Sequence, residues 1–260
     1  MTILDRLAEH AQERVAEAKR KIPDAEIRRM AGKCPKGNFA FEEALKKPDL
    51  AFICECKKAS PSRGLIAPEF PYLQIAKDYE AAGADCISVL TEPKWFQGSE
   101  QYLREIAEAV AIPCLRKDFT VDAYMIYEAK VLGASAVLLI CAILCDHQLE
   151  EYLDICEELG LSALVEAHDT EEVNRALRAK ARIIGVNNRN LKDFTVDTGN
   201  SLNLRNTIPP GVLFVSESGV KNAQDVQKLR EIGADAVLVG EAMMLAPEKK
   251  TKLAELRGKL

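Results

Sequence analysis

The feature that most constrains this chain is the regular recurrence of apolar, β-prone segments separated by amphipathic helical stretches. The apolar segments fall near residues 51–57, 85–90, 112–117, 135–140, 162–166, 182–187, 212–216 and 235–239. Each reads as a buried strand. Helical spacing connects them, for example over 72–82, 101–110, 123–132, 149–159, 170–179 and 223–232. Three of these helices run into a repeated pattern: Gly83-Ala84-Asp85, Gly133-Ala134-Ser135 and Gly233-Ala234-Asp235. Glycine at a helix end accepts the left-handed backbone that stops the helix. Eight such βα units predict the α/β class and a closed (β/α)8 (TIM) barrel. An open doubly wound sheet is the competitor, but no Gly-x-Gly-x-x-Gly follows the first strand, and 260 residues suit one barrel.

About fifty residues precede the first strand. Ile3, Leu4, Leu7, Ala8, Ala11 and Val15 have helical spacing, and 39–45 suggests a second short helix. Residues 1–48 are too few for a convincing core of their own, so they are expected to pack on the barrel within a single domain spanning 1–260. The charged tail from Pro247 reads as a final helix. Hydrophobic residues make up 48% and charged residues 29%, with a net charge of −5 and both signs interspersed. Nothing resembles a basic nucleic-acid stripe, a membrane span or a signal peptide, so a cytoplasmic location with no nucleic-acid or membrane partner is expected. Eight cysteines lie mostly in apolar runs. Cys54 and Cys56 share a strand face, which could suit a metal or redox pair. Packing under helices is favoured, because no second Cys/His pair has zinc-site spacing. His10, His147 and His168 likewise lack a partner at ligand spacing and read as surface or rim residues.

Barrel chemistry gathers at the C-terminal ends of the strands. There the sequence offers Glu55 and Lys57; Thr91-Glu92 and the loop through Trp95-Phe96; Leu115-Arg116-Lys117-Asp118-Phe119; Leu164-Val165-Glu166-Ala167-His168; Gly185-Val186-Asn187-Asn188-Arg189-Asn190; Ser216-Glu217-Ser218-Gly219; and Val239-Gly240-Glu241. A strand alternates its faces with a period of two. Lys117 therefore continues the row of Leu115, Glu166 that of Leu164, and Asn187 that of Gly185. Glu55, Lys57, Lys117, Glu166 and Asn187 would converge above the core, where acids and bases shift one another's pKa values. Any one of them could be a structural ion pair, but several at successive strand ends favour a site. Small residues at Ser218-Gly219 and Gly240-Glu241, each before a helix, suit a phosphate. Trp95-Phe96 could wall an aromatic pocket or anchor their own loop. Residues 58–67 could close over a substrate or form a static rim.

The ordered set Glu55-x-Lys57-x-x-Ser60-Pro61-Ser62, Phe96-Gln97-Gly98-Ser99, 115–119, 164–166, 185–189, 216–219 and 239–241 resembles the indole-3-glycerol-phosphate synthase family. One departure is Lys58-Ala59, where the family often has Arg-Lys. The resemblance implies ring closure, decarboxylation and dehydration of 1-(2-carboxyphenylamino)-1-deoxyribulose 5-phosphate, a small phosphorylated anthranilate derivative. It implies no metal and no organic cofactor, and a monomer or weak homo-oligomer. It also implies roles. Lys117 would be the general acid, held acidic enough to release its proton. Glu166 would be the base, with Glu55 in support, and Lys57 would hold the substrate carboxylate or donate a second proton. Asn187 and Ser218 would complete the catalytic set. Arg189 and Glu217 would stand behind it, and Ser60, Gly219, Gly240 and the Glu241 backbone would surround the phosphate. Another phosphate-binding barrel, a Schiff-base aldolase or a non-catalytic scaffold are the competing readings.

Overall fold

The computed structural model describes residues 2–189 and 195–259; Asn190 lies outside them. Eight parallel strands close into a barrel: β1 Ala51–Cys56, β2 Cys86–Leu90, β3 Cys114–Lys117, β4 Ala136–Ile140, β5 Ser162–Ala167, β6 Ile183–Asn187, β7 Leu213–Glu217 and β8 Ala236–Val239. β1 closes the ring, pairing β8 through Ala51↔Ala236 and β2 through Ile53↔Cys86. The helices around it are α4 Tyr72–Ala82, α5 Glu100–Ala109, α6 Ala123–Val131, α7 Asp146–Leu159, α8 Thr170–Arg178, α9 Gly199–Arg205, α10 Ala223–Glu231, α11 Glu241–Leu245 and α12 Lys249–Leu256. Before them come α1 Ile3–Lys21, α2 Asp24–Lys33 and α3 Ala40–Leu45.

Strand parity divides the apolar residues into two clusters. Phe52, Cys54, Cys56, Ile87, Val137, Val165 and Phe214 face outward and pack under the helices. Ile53, Leu115, Leu138, Leu164, Ile183, Val215 and Leu238 face inward and fill the barrel. Cys54 and Cys56 thus serve as small packing residues, and burial pushes the Cys54 thiol up to about 12. The cysteines are all free thiols.

The repeated Gly-Ala-Asp pattern has a second purpose besides stopping a helix. Asp85 accepts the Phe52 N–H at 2.8 Å, and Asp235 accepts the Phe214 N–H at 2.7 Å. Each carboxylate thereby holds the start of the neighbouring strand. Ser135 stands at the same place in the third copy and has no carboxylate to do this.

The N-terminal helices close the barrel at both ends. α3 plugs the bottom: Phe41 and Leu45 are fully buried against the inner core, and the Glu42 N–H donates to Ser162 Oγ at 3.1 Å. α1 lies at the C-terminal mouth, where Arg14 pairs with Asp118 at 2.6 Å and His10 with Glu92 at 3.2 Å. α2 falls in a stretch with no helix expected. It turns only Ile27 and Ala31 inward, a stripe too thin to stand out, and Arg28 donates to Tyr127 Oη on α6 at 2.8 Å.

Candidate active site

A cavity of about 830 Å³ opens above the inner core at the C-terminal ends of the strands. Its floor is the set of side chains that continue the inward-facing rows. Lys57 Nζ lies 2.7 Å from Glu55 Oε1 on β1 and its exit. Across the barrel, Lys117 Nζ lies 3.2 Å from Glu166 Oε2 and 3.2 Å from Glu217 Oε2. Ser218 Oγ donates to Asn187 Oδ1 at 3.0 Å, and the Arg189 N–H reaches the same oxygen at 3.0 Å. Ser60, Arg189, Gly219, Gly240 and Glu241 line the same cavity. Every residue singled out at the strand ends for catalysis or phosphate therefore borders one space.

Glycine makes two of these approaches possible. A Cβ at Gly185 would stand 2.2 Å from Glu217 Oε1, and one at Gly240 would stand 2.5 Å from Glu55 Oε1. Any larger residue would displace a buried carboxylate. Ser218 and Gly219 both take left-handed backbone, with φ of 67° and 95°. Asn188 holds this turn: its Nδ2 donates to the Ser218 carbonyl at 3.0 Å and to Ser216 Oγ at 3.1 Å. Its position beside Asn187 in sequence did not distinguish it as the residue facing outward and fixing the turn.

The electrostatics depart from one expectation. Burial disfavours the Lys117 ammonium, but Glu217, Glu166 and Glu55 more than offset this and hold it well above the ordinary lysine value. The neighbours hold the ammonium in place without acidifying it. Glu217 does not stand behind the set as expected but touches Lys117 directly. Burial raises its carboxyl to about 7, opposed by Lys117 and reinforced by Glu166. Glu217 Oε1 is buried with no hydrogen-bond partner among the described residues. For Glu166 burial acts upward too, but the charges of Lys117 and His168 and hydrogen bonds from Asn187 and Lys117 bring it below the ordinary glutamate value.

Glu92 decides the split between Trp95 and Phe96. Its buried carboxylate accepts the N–H groups of Lys94, Trp95 and Phe96 at 3.0, 2.8 and 3.0 Å, curling the loop. Phe96 consequently faces the cavity and packs on Phe119, with ring centroids 6.1 Å apart. Trp95 turns to α1 and meets His10 edge-on at 5.3 Å. Residues 59–60 and 64–65 form a small antiparallel ladder, and the Ala59 N–H donates to the Phe96 carbonyl at 3.2 Å. Arg63 at its tip donates to Glu241 Oε2 at 3.2 Å, so the Glu241 side chain is engaged across the cavity rim.

Sequence reasoning misses several contributors. Ile3 and Leu7 line the cavity from α1, which amphipathic spacing alone does not assign to the mouth. Ser88 faces inward on β2 and donates to Glu55 Oε2 at 3.5 Å. His168, read as a rim residue, has its Nε2 3.5 Å from Glu166 Oε1. It shares the parity of Glu166 two residues earlier, and that signal was available.

A closed eight-stranded barrel whose lysines and glutamates meet in a cavity at the C-terminal strand ends has the architecture of a (β/α)8-barrel enzyme. The family model for indole-3-glycerol phosphate synthase matches residues 4–256. The indole-3-glycerol phosphate synthase of Ruminiclostridium cellulolyticum is 55% identical over 98% of this chain and 99% of its own length. That of Lacticaseibacillus paracasei is 50% identical over 98% of each. The chain belongs to the indole-3-glycerol phosphate synthase family. Among solved structures, 3-hexulose-6-phosphate synthase from Salmonella typhimurium superposes with a TM-score of 0.65 at 14% identity, over 81% of this chain and 98% of its own. Phosphoribosylanthranilate isomerase from Thermotoga maritima gives 0.56 at 16%, over 80% and 99%. At such identities these two share the fold alone. No helix among the described residues is long and apolar enough to cross a membrane.

Proposed function

We propose that this chain converts 1-(2-carboxyphenylamino)-1-deoxyribulose 5-phosphate into indole-3-glycerol phosphate, carbon dioxide and water by lysine and glutamate acid–base chemistry. The observation that carries the reading is Lys117 Nζ held 3.2 Å from both Glu166 and Glu217 on the floor of the cavity, with the Lys57–Glu55 pair on β1. In ring closure the aromatic carbon bearing the carboxylate attacks the ketone, and negative charge develops on the ketone oxygen. A positioned ammonium stabilises that charge and gives it a proton. An alkoxide is a stronger base than an amine, so a lysine with a raised pKa still serves as donor. Lys117 fills this role. Loss of carbon dioxide returns the bond electrons to the ring. Dehydration then needs an acid for the departing hydroxyl and a base for the proton on the carbon next to nitrogen. Glu166, kept ionised by Lys117, is the base, and Lys57, assisted by Glu55, is the acid.

Asn187 and Ser218 orient substrate oxygens, and Glu217 keeps Lys117 charged and in place. Ile3, Leu7, Phe96 and Phe119 supply the apolar wall for the aromatic ring. Ser60, Gly219, Gly240 and the Glu241 backbone receive the phosphate, with Arg189 nearby. The proposal includes a cytoplasmic setting and a monomeric or weakly associated chain. A Schiff-base aldolase is disfavoured, since its lysine must be a free amine and the two carboxylates favour the ammonium. The deciding measurement is indole fluorescence on adding the carboxyphenylamino substrate to folded protein. Absence of a signal rejects the synthase reading, and a borohydride-trapped adduct at Lys117 or Lys57 rejects the acid-catalysis mechanism.

A further inference from the structure

His168 follows β5 and stands between the main cavity and a second one of about 540 Å³, which Glu172, Asp169, Asp197 and Asn200 also line. Its backbone N–H donates to Glu172 Oε2 at 2.8 Å, and its ring Nδ1 lies 3.3 Å from the same oxygen. Asn200 Nδ2 donates to the His168 carbonyl at 3.2 Å. The ring is thereby set with Nδ1–H toward the Glu172 carboxylate. Nε2 faces the other way, 3.5 Å from Glu166 Oε1, and is buried without a hydrogen-bond partner among the described residues. A bare Nε2 would oppose its lone pair to those of a carboxylate. The contact is favourable only when one more proton sits on Nε2 or on Glu166. Side-chain exposure runs from 2% at Glu166 to 20% at His168 and 15% at Glu172, so the line leads from the dry floor toward water.

The charged groups around the ring are Glu166 on β5, Glu172 on α8 and, farther off, Glu217 on β7. Asp169 and Asp197 border the second cavity. Burial lowers the imidazole pKa, but the Glu172 hydrogen bond and the charges of Glu166, Glu172 and Glu217 outweigh it, leaving the ring more basic than usual.

The reaction proposed above, on which this inference rests, does not balance its protons within the site. The ketone oxygen takes one proton at ring closure and a second when its carbon–oxygen bond breaks and it leaves as water. Only one proton, from the carbon beside nitrogen, comes back. The carboxylate departs as carbon dioxide, its bonding electrons returning to the ring, and so releases none. Each turnover therefore draws one proton from water. A substrate filling the main cavity separates Lys117 and Glu166 from the mouth. We propose that Glu172 and His168 form a proton relay joining Glu166, and through it Lys117, to water while the main cavity is occupied. After ring closure a proton moves from water to His168, from Nε2 to Glu166, and on to the neutral Lys117 amine. Glu166 is left ionised, ready to act as base. The proton it then takes from substrate leaves by the same route, so the relay carries one proton in and one out while the cavity is occupied. The net proton of each turnover enters at Lys57 through the open mouth after product departs.

The test compares wild type with His168→Gln and Glu172→Gln, using the carboxyphenylamino substrate in single- and multiple-turnover experiments between pH 6 and 8.5. The relay predicts that first-turnover carbon dioxide release in His168→Gln stays within about twofold of wild type. Indole formation falls about tenfold or more at pH 8, recovers toward pH 6 and is restored by added imidazole, while KM is unchanged. Glu172→Gln moves the alkaline limb of kcat to lower pH. A His168→Gln enzyme with the wild-type pH profile overturns the relay. A loss that is the same at every pH and indifferent to imidazole also overturns it, since that is the mark of a mere prop for Glu166. If His168→Gln fails to fold, an unshifted profile in Glu172→Gln is the overturning result. A wild-type enzyme that makes no indole product rejects the reaction itself and the relay with it, whereas an active wild type with unaffected variants rejects the relay alone.

Discussion

At the N-terminal end of the barrel, Asp85 meets Lys47 at 2.6 Å, Arg257 at 2.9 Å and the Phe52 N–H at 2.8 Å. Nearby, Glu42 meets Lys46 at 2.8 Å and Arg182 at 2.7 Å. At the C-terminal end, three buried glutamates, Glu55, Glu166 and Glu217, share two lysines, and one carboxylate oxygen of Glu217 has no partner among the described residues. Both ends bury acids. At the bottom each buried acid meets two cations, so the network only holds strands and plugs in place. At the top the acids outnumber the cations, so one carboxyl is poised near neutrality. Charge balance, rather than the presence of charge, distinguishes the stabilising end from the reactive one.

Four substitutions would break or sharpen that contrast. The largest effect is expected for Lys117→Met, which should lower kcat/KM by about a thousandfold or more in an indole-formation assay. Removing the cation also leaves Glu166 and Glu217 facing each other. Its melting temperature should therefore lie closer to wild type at pH 6, where they can be protonated, than at pH 8. Wild-type kcat would remove Lys117 from the chemistry. Gly185→Ala comes next. The new Cβ must push Glu217 from Lys117, and kcat should fall about a hundredfold with a modest change in melting temperature. An unchanged kcat would mean that Glu217 does not position Lys117.

At the opposite end, Asp85→Ala should cost about 3 kcal/mol in denaturant unfolding, because two cations and a strand N–H lose their acceptor. It should leave kcat per folded molecule unaltered, and a fall in kcat would contradict the separation of the two ends. The smallest effect belongs to Glu217→Gln. The Glu217 carboxyl sits at about 7 in the fold, above its ordinary 4.5. The folded state thus binds more protons than the unfolded chain between these values, and wild-type stability falls as pH rises through that window. Glutamine does not titrate, so the variant should gain on wild type across it by about 2 kcal/mol, read from urea unfolding at pH 5 and pH 8.

Much of this was legible in the residues. The eight strands follow from apolar runs, and the convergence of Glu55, Lys57, Lys117, Glu166 and Asn187 follows from parity, because a period of two is a local property of the backbone. What stayed hidden was relational. Glu217 has the same inward parity as Glu166, yet its contact with Lys117 depends on the curvature of the closed barrel and on the missing side chain at Gly185. His168 carries the same parity signal, but it acquires meaning only when Glu172 of α8 fixes its ring. Trp95 and Phe96 are neighbours of similar character, and Glu92 sends them to opposite places.

The sequence by itself determined the barrel, its strand count, the end at which chemistry gathers and the residue types that gather there. Hydrophobic periodicity and glycine stops are written in neighbouring residues. Only the tertiary structure decided which lysine stands between two acids, which carboxyl is left near neutrality and which helix roofs the mouth. Those outcomes depend on distances between residues 100 or more positions apart, such as Lys117 and Glu217 or Arg14 and Asp118. Burial and the local excess of charge, neither of which exists in an extended chain, set their protonation.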